Sequence, residues 1–214
     1  MPLDLQQTRL YARQIALPAV GSQGQQRLLA ATVVVFRTQG AEAGPGDPAV
    51  TAAAYLRAAG VGTVNLVPVP GAAAGWQAAL TAVQVALRFA LDDDDLLPLA
   101  SAAGVPLVVG RVLDDTVDLL AFRHHGGCAH QRMRGSAGRP AGTAAPGAAA
   151  TVLATLAATE CLWMLIDPER QPAARRLRLP LGGGAPACDA IPWPPLCPLC
   201  AAATPGGAAK TSFS

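Results

Sequence analysis

Thr32-Val-Val-Val-Phe36, the loop Arg37-Thr-Gln-Gly-Ala-Glu-Ala-Gly-Pro-Gly-Asp-Pro48, a helical stretch over 49–59 ending at Gly60, and Thr63-Val-Asn-Leu-Val67 stand in that order. The first and last are β-branched runs short enough for buried strands. Strand, Gly-rich loop, helix and strand within about 35 residues make a βαβ unit, and such a unit implies a parallel sheet.

Working outward, residues 3–17 read as a short helix with Leu3, Leu10, Ile15 and Leu17 as its apolar positions. Pro18 to Gly21 break it, and Ser22 is placed to cap a second helix through about Ala31. After the βαβ unit, residues 71–82 are Ala-rich and helical in pattern. Val83, Val85, Leu87, Phe89 and Leu91 alternate, which predicts a strand closed by Asp92 to Asp95. A helix over about 95–103 precedes two more strands, Val105–Val109 and Thr116–Phe122. Residues 126–147 lack periodicity and read as a crossover loop, followed by a long helix from Ala148 to Ile166. The remainder is proline-rich, and the stretch after Cys200 is small, polar and flexible in composition. No internal repeat of fixed period is present.

Composition narrows the function. The chain has 214 residues, a formal net charge of +2, 51% hydrophobic and 14% charged residues. Ala supplies about a fifth of the chain, within the usual apolar total. That excludes a charge-rich disordered chain and, by bulk charge, a nucleic-acid binder. No apolar run is expected to reach the ~18 residues of a membrane span. The N-terminus lacks the basic start and apolar stretch of a signal peptide, so the expected location is cytoplasmic, with no membrane partner. Five cysteines, an odd number unevenly placed, argue against a disulfide framework.

Five segments, taken in order, resemble the ThiF/MoeB/HesA family, relatives of ubiquitin-activating enzymes that adenylate the C-terminus of a ubiquitin-like or sulfur-carrier protein. They are Tyr11-Ala-Arg-Gln-Ile-Ala-Leu-Pro18 with Gly21 and Gly24-Gln-Gln-Arg-Leu-Leu29; Tyr55-Leu-Arg-Ala-Ala-Gly-Val-Gly-Thr-Val-Asn-Leu-Val67; Ala103-Gly-Val-Pro-Leu-Val-Val-Gly110; Gly147 to Leu165 with Ala157-Ala-Thr-Glu-Cys161; and Cys197-Pro-Leu-Cys200. The resemblance implies an α/β fold: a Rossmann-like, mainly parallel sheet flanked by helices, shortened, with a Cys-containing C-terminal segment. It implies one domain over residues 1–200, divided into N-terminal helices (1–31), a Rossmann-like core (32–125), a crossover loop (126–147) and a C-terminal helix with a zinc-type segment (148–200). Residues 201–214 form a tail.

The departures from the family bear on activity. Its phosphate loop is Gly-x-Gly-Gly-x-Gly, whose backbone N–H groups approach the phosphates at a helix N-terminus. Here Gly40, Gly44 and Gly46 remain, but at the wrong spacing; Pro45 and Pro48 have no N–H, and Glu42 and Asp47 would repel phosphate. The family's ribose-holding Asp is replaced by Pro68-Val-Pro70, and its Arg and Lys triphosphate clamps are absent: no Lys precedes Lys210. Without those cations the triphosphate charge is poorly compensated, so ATP and Mg²⁺ are not expected in this chain alone.

Other residues keep family positions. Arg13 matches an N-terminal Arg that reaches a partner's nucleotide in family dimers, or is a solvated helix Arg. Asp92 matches a Mg²⁺-associated Asp, or is an acidic helix start that complements the dipole. Cys128, His130, Cys197 and Cys200 form the implied structural zinc set, with His124 or His125 as other choices and Gln131 where the family has a ligand. Cys188, in Gly182-Gly-Gly-Ala-Pro-Ala-Cys188, is a candidate transfer cysteine, although no neighbouring base is visible. Cys161 reads as a small buried hydrophobe.

The function so implied is a degenerate, non-catalytic subunit. It would form a homodimer, or a heterodimer with an active homologue, or bind a ubiquitin-like or sulfur-carrier protein. The rivals are a diverged ATP-dependent adenylyltransferase and a module that recognises a precursor peptide in a biosynthetic pathway.

Overall fold

The computed structural model describes residues 2–37, 46–69, 73–89, 105–113, 115–122, 147–168 and 174–190. Two short helices open the chain, α1 (Leu5–Leu10) and α2 (Ala12–Ile15), followed by α3 (Gly21–Ala30). The βαβ unit is β1 (Thr32–Arg37), α4 (Pro48–Ala58) and β2 (Thr63–Pro68). Then come α5 (Ala73–Leu80), β3 (Val85–Phe89), β4 (Leu107–Leu113), β5 (Thr116–Phe122), α6 (Gly147–Ile166), β6 (Ala174–Pro180) and β7 (Ala187–Ala190).

The strands form one sheet in the order β2-β1-β3-β4-β5-β6-β7. β2, β1, β3 and β4 are parallel neighbours, with Val34 opposite Asn65 and Ala86. β5 is antiparallel to β4, β6 to β5, and β7 to β6. Five of the seven strands therefore point the same way, and the sheet is mostly parallel in direction as the sequence predicts.

Both faces of β1 are buried because helices cover both sides. Val33 and Val35 pack with Ala49, Ala52, Ala53 and Leu56 of α4 and with the apolar side of α6. Val34 and Phe36 pack on the opposite face with Leu80 of α5, Val83 and Leu120. Gly110 in β4 lets α6 come close: a Cβ there would lie 2.7 Å from a methyl of Leu153. The Ala run of α6 serves the same close approach, with Ala154, Ala157 and Ala158 fully buried.

Several expectations need correction. Residues 3–17 are not one helix. α1 ends at Tyr11, whose backbone (φ −102°, ψ 16°) leaves the helical region before α2 begins. Ser22 does not cap α3; the helix starts at Gly21 after Val20 and has no side-chain cap. The strand expected over Val105–Val109 starts at Leu107 and runs on to Leu113. β6 and β7 lie where no strand is predicted. α6 is long and apolar enough to cross a membrane, against expectation, but ten of its 20 residues are buried within the molecule. It is the core helix of one sheet face. The helix predicted over 95–103 and most of the crossover loop fall outside the described residues.

Candidate functional site

In an open α/β sheet, ligands bind beyond the carboxyl ends of the strands, where the chain winds in opposite directions from neighbouring strands. Here that point lies between β1, which leads through α4 to β2, and β3 on the other side of β1. The carboxyl end of β1 is Arg37, whose backbone carbonyl accepts the N–H of Val69 at 2.9 Å. Val33 and Val35 face α4, so strand alternation puts Arg37 on the α4 side. Its side chain is half-buried.

The start of α4 completes this corner. Asp47 is the N-cap, with extended backbone, and Pro48 is the first helical residue. One carboxylate oxygen of Asp47, Oδ1, accepts the Ala49 N–H at 2.8 Å. The Asp47 carbonyl accepts the Thr51 N–H at 3.1 Å. Pro48 has no N–H, so the first turn of α4 has one donor fewer to offer an anion. The other carboxylate oxygen, Oδ2, is buried with no hydrogen-bond partner. Asp47 thus does more than stand near the phosphate position: its negative charge occupies the helix terminus that an anion would use.

The predicted site residues are not gathered at this corner. Gly46 lies beside it, exposed, and a Cβ there would meet nothing within 4 Å, so no close approach demands glycine. Arg13 is exposed on α2. Cys188 is exposed on β7, five strand positions from β1 and therefore about 24 Å away across the sheet. Gly40, Gly44, Asp92, Cys128, His130, Cys197 and Cys200 lie outside the described residues. Among the described residues no group of three or more His, Cys, Asp or Glu stands together to hold a metal. Cys161 is fully buried in α6, and burial, with the neighbouring Glu160, pushes its thiol far above the ordinary cysteine range. It stays a thiol and is inert.

Sequence reasoning missed a charged row on the sheet face opposite α6. Asp118 in β5 is 1% exposed. It accepts from Arg111 Nε of β4 at 3.0 Å and from Arg176 Nε of β6 at 2.6 Å. On the α6 face, Arg175 of β6 pairs with Glu160. At the outer strand Arg178 pairs with Asp189 at 2.9 Å. The only sequence signal for β6 is its alternation, with Leu177 and Leu179 on one face and Arg176 and Arg178 on the other.

No family model matches the chain. Over 66 residues, 31% of its length, it is 44% identical to the adenylyltransferase and sulfurtransferase uba4 of Pyricularia oryzae. Over 66 residues it is 36% identical to the uba4 of Sclerotinia sclerotiorum. These matches take in only 12% and 13% of the two fungal proteins. Among solved structures, PaaA superposes with a TM-score of 0.65 at 12% identity, covering 88% of this chain and 75% of PaaA. E. coli MccB with MccA gives 0.64 at 12% identity, covering 90% of this chain and 74% of MccB. The chain is related to the ThiF/MoeB-type adenylyltransferases, and its likeness to PaaA and MccB is one of fold.

Proposed function

We propose that this chain is a ThiF/MoeB-type subunit that does not itself adenylate: it binds a small carrier protein or precursor peptide and pairs with an active homologue. The observation that carries this is the closed start of α4. A triphosphate brings several negative charges and needs N–H donors and cations. At this corner Pro48 offers no donor, Asp47 holds the Ala49 N–H, and its carboxylate opposes phosphate. The end of β2 runs into Pro68 with no carboxylate to hold a ribose. The MccB neighbour is described with MccA, which supports a peptide or carrier as the bound partner. Arg13, exposed on α2, is the group this reading assigns to a partner's nucleotide. A structural zinc on Cys128, His130, Cys197 and Cys200 belongs to the same proposal.

A second reading is favoured by the uba4 relatives, both named adenylyltransferases: a diverged enzyme whose phosphate loop works in an unfamiliar form. Calorimetry separates the two. The purified chain is titrated with MgATP alone, then mixed with an active ThiF/MoeB-type homologue. No heat from the chain alone, and AMP formation that rises in the mixture and falls with Arg13→Ala, supports the subunit. Micromolar MgATP binding with AMP formation by the chain alone overturns it in favour of the enzyme.

A further inference from the structure

We infer that the free edge of β2 pairs with the same edge of a second copy of this chain. The two β2 strands join antiparallel about a two-fold axis at Leu66, and two seven-stranded sheets become one. This goes beyond the proposed function and does not rest on it.

The register of β2 on β1 sorts its backbone groups into two sets. The Thr63 N–H donates to the Ala31 carbonyl at 3.0 Å, and the Val69 N–H to the Arg37 carbonyl at 2.9 Å. Between them the strands run in step, from Thr32 opposite Thr63 to Arg37 opposite Pro68. In such a ladder alternate residues bond to the same neighbour, so Thr63, Asn65, Val67 and Val69 turn to β1. Val64, Leu66 and Pro68 turn away from it, at the end of the sheet. The Val64 carbonyl accepts Arg57 Nη2 at 2.9 Å. The Val64 N–H, the Leu66 N–H and carbonyl, and the Pro68 carbonyl have no partner among the described residues.

Those open groups are self-complementary. In an antiparallel pair, opposed residues of the hydrogen-bonded kind exchange two N–H···O bonds. With Leu66 opposite the partner's Leu66, that exchange is complete. Val64 then stands opposite the partner's Pro68 and donates its N–H to that carbonyl. The return bond would need an N–H that proline lacks, and its acceptor, the Val64 carbonyl, is already filled by Arg57. Every open group is used and none is left over. Moving the axis by one residue loses this. Centred on Asn65, the partner's Leu66 N–H competes with Arg57, and the Pro68 carbonyl stays open. Centred on Val67, the Leu66 carbonyl faces a proline with no N–H to give.

The surroundings admit a second copy. Sheet edges are commonly blunted by charge or by shortness. β7 is four residues long and carries Asp189, whereas β2 is six residues long and uncharged. A two-fold axis normal to the sheet puts both α4 helices on one face. α4 packs on both β1 and β2, so with strands about 4.8 Å apart the two α4 axes lie roughly 10 Å apart, a helix-packing distance. Ala54, exposed and one turn before Arg57 on the same flank of α4, leaves room for that approach.

An edge contact of this size makes a weak dimer, dissociating at about 0.1–1 mM. The test follows sedimentation equilibrium and amide exchange by NMR on the ¹⁵N-labelled full chain, from about 10 µM to about 1 mM. In the dilute monomer, protection along β2 should alternate: the amides of residues 63, 65 and 67 slow, those of 64 and 66 fast. At the concentrated end the mass should rise toward twice that of one chain. The amides of 64 and 66 should then slow by about two- to fivefold, the inverse of the fraction left monomeric. Leu66→Pro removes an N–H that β1 does not use, and an edge strand accepts proline there. It should weaken the dimer by about tenfold or more. Ala54→Glu leaves β2 intact, sets two carboxylates together near the axis, and should do the same; it serves if Leu66→Pro fails to fold. A mass that stays at one chain overturns the inference. So does a dimer that leaves 64 and 66 fast, or that either folded variant leaves intact. Amides 64 and 66 already slow in the dilute monomer, or slowed only by an added carrier protein, assign the edge to another strand and overturn it as well.

Discussion

Asp118 is surrounded by protein at the middle of β5, and its two oxygens take donors from strands on both sides, Arg111 from β4 and Arg176 from β6. A carboxylate this buried is stable only with such partners, because desolvation of an unpaired charge is costly. The pairings also fix register: Asp118 stands opposite Arg111 in the β4 ladder and Arg178 in the β6 ladder. A one-residue slip of β5 would turn the charge toward α6. Removing the carboxylate leaves two guanidiniums facing each other, so Asp118→Ala should destabilise the fold by about 3–5 kcal/mol. Asp118→Asn, which can still accept one hydrogen bond, should cost less. Urea unfolding checks this through the midpoint at constant slope. A loss under about 1 kcal/mol for Asp118→Ala would mean that water reaches the pair and solvates the charges in place of Asp118.

At the scale of elements, α4 shows how much a short stretch of sequence specifies. Asp47-Pro48 sets its start and Gly60 its end. Gly60 has φ +88°, and its N–H and that of Val61 return to the carbonyls of Arg57 and Leu56. A Cβ on Gly60 would lie 2.7 Å from the Tyr11 ring and from Gln25 Nε2. Gly60→Ala should therefore cost about 1–3 kcal/mol in backbone strain and displaced packing. Thermal unfolding reads the cost, and a change within about 0.5 kcal/mol would mean the Tyr11 ring swings away freely. The parallel strands were legible for the same local reason: β-branched runs stand between turn residues, and burial on both faces keeps them apolar. β6 and β7 were not, because their charges are neutralised by residues distant in sequence. Arg175 meets Glu160, Arg176 meets Asp118, and only Arg178 finds its partner, Asp189, nearby in the chain. Pairings of that kind leave no periodic trace, and the prolines around Pro180 and Pro186 point away from a strand. At the candidate site, the sequence showed Asp47 and Pro48 as loop residues unsuited to phosphate, but not that they are the cap and first residue of α4. The consequence, a helix terminus filled by the chain's own carboxylate, needed the hydrogen bond to Ala49 to be seen.

Across the whole molecule, burial is uneven in a way that predicts how the chain opens. β1 and β3 lie inside the sheet with helices on both faces, and Val33, Val35 and Leu87 are fully buried. The sheet ends in edge strands of different character. β2 is half-buried, and Arg57 of α4 covers its Val64 carbonyl at 2.9 Å. β7 is four residues long and mostly exposed. At the N-terminus, α1 and α2 contain no buried residue, and Leu5 and Leu10 are 68% and 70% exposed. Local opening should follow this order, because an amide exchanges through the cheapest opening that frees it. Hydrogen exchange followed by mass spectrometry should find α1, α2 and β7 exchanging first. β2 should come next, slowed by one paired edge. β1, β3, β4 and the buried side of α6 should exchange last, through global unfolding. Lowering stability with Asp118→Ala should then speed exchange in β1 and β3 by the full loss in stability while leaving α1 and α2 unchanged, since these already open locally. Protection of α1 and α2 equal to that of β1 would mean that another surface covers Leu5 and Leu10 in solution, and dilution would reveal it by releasing that protection.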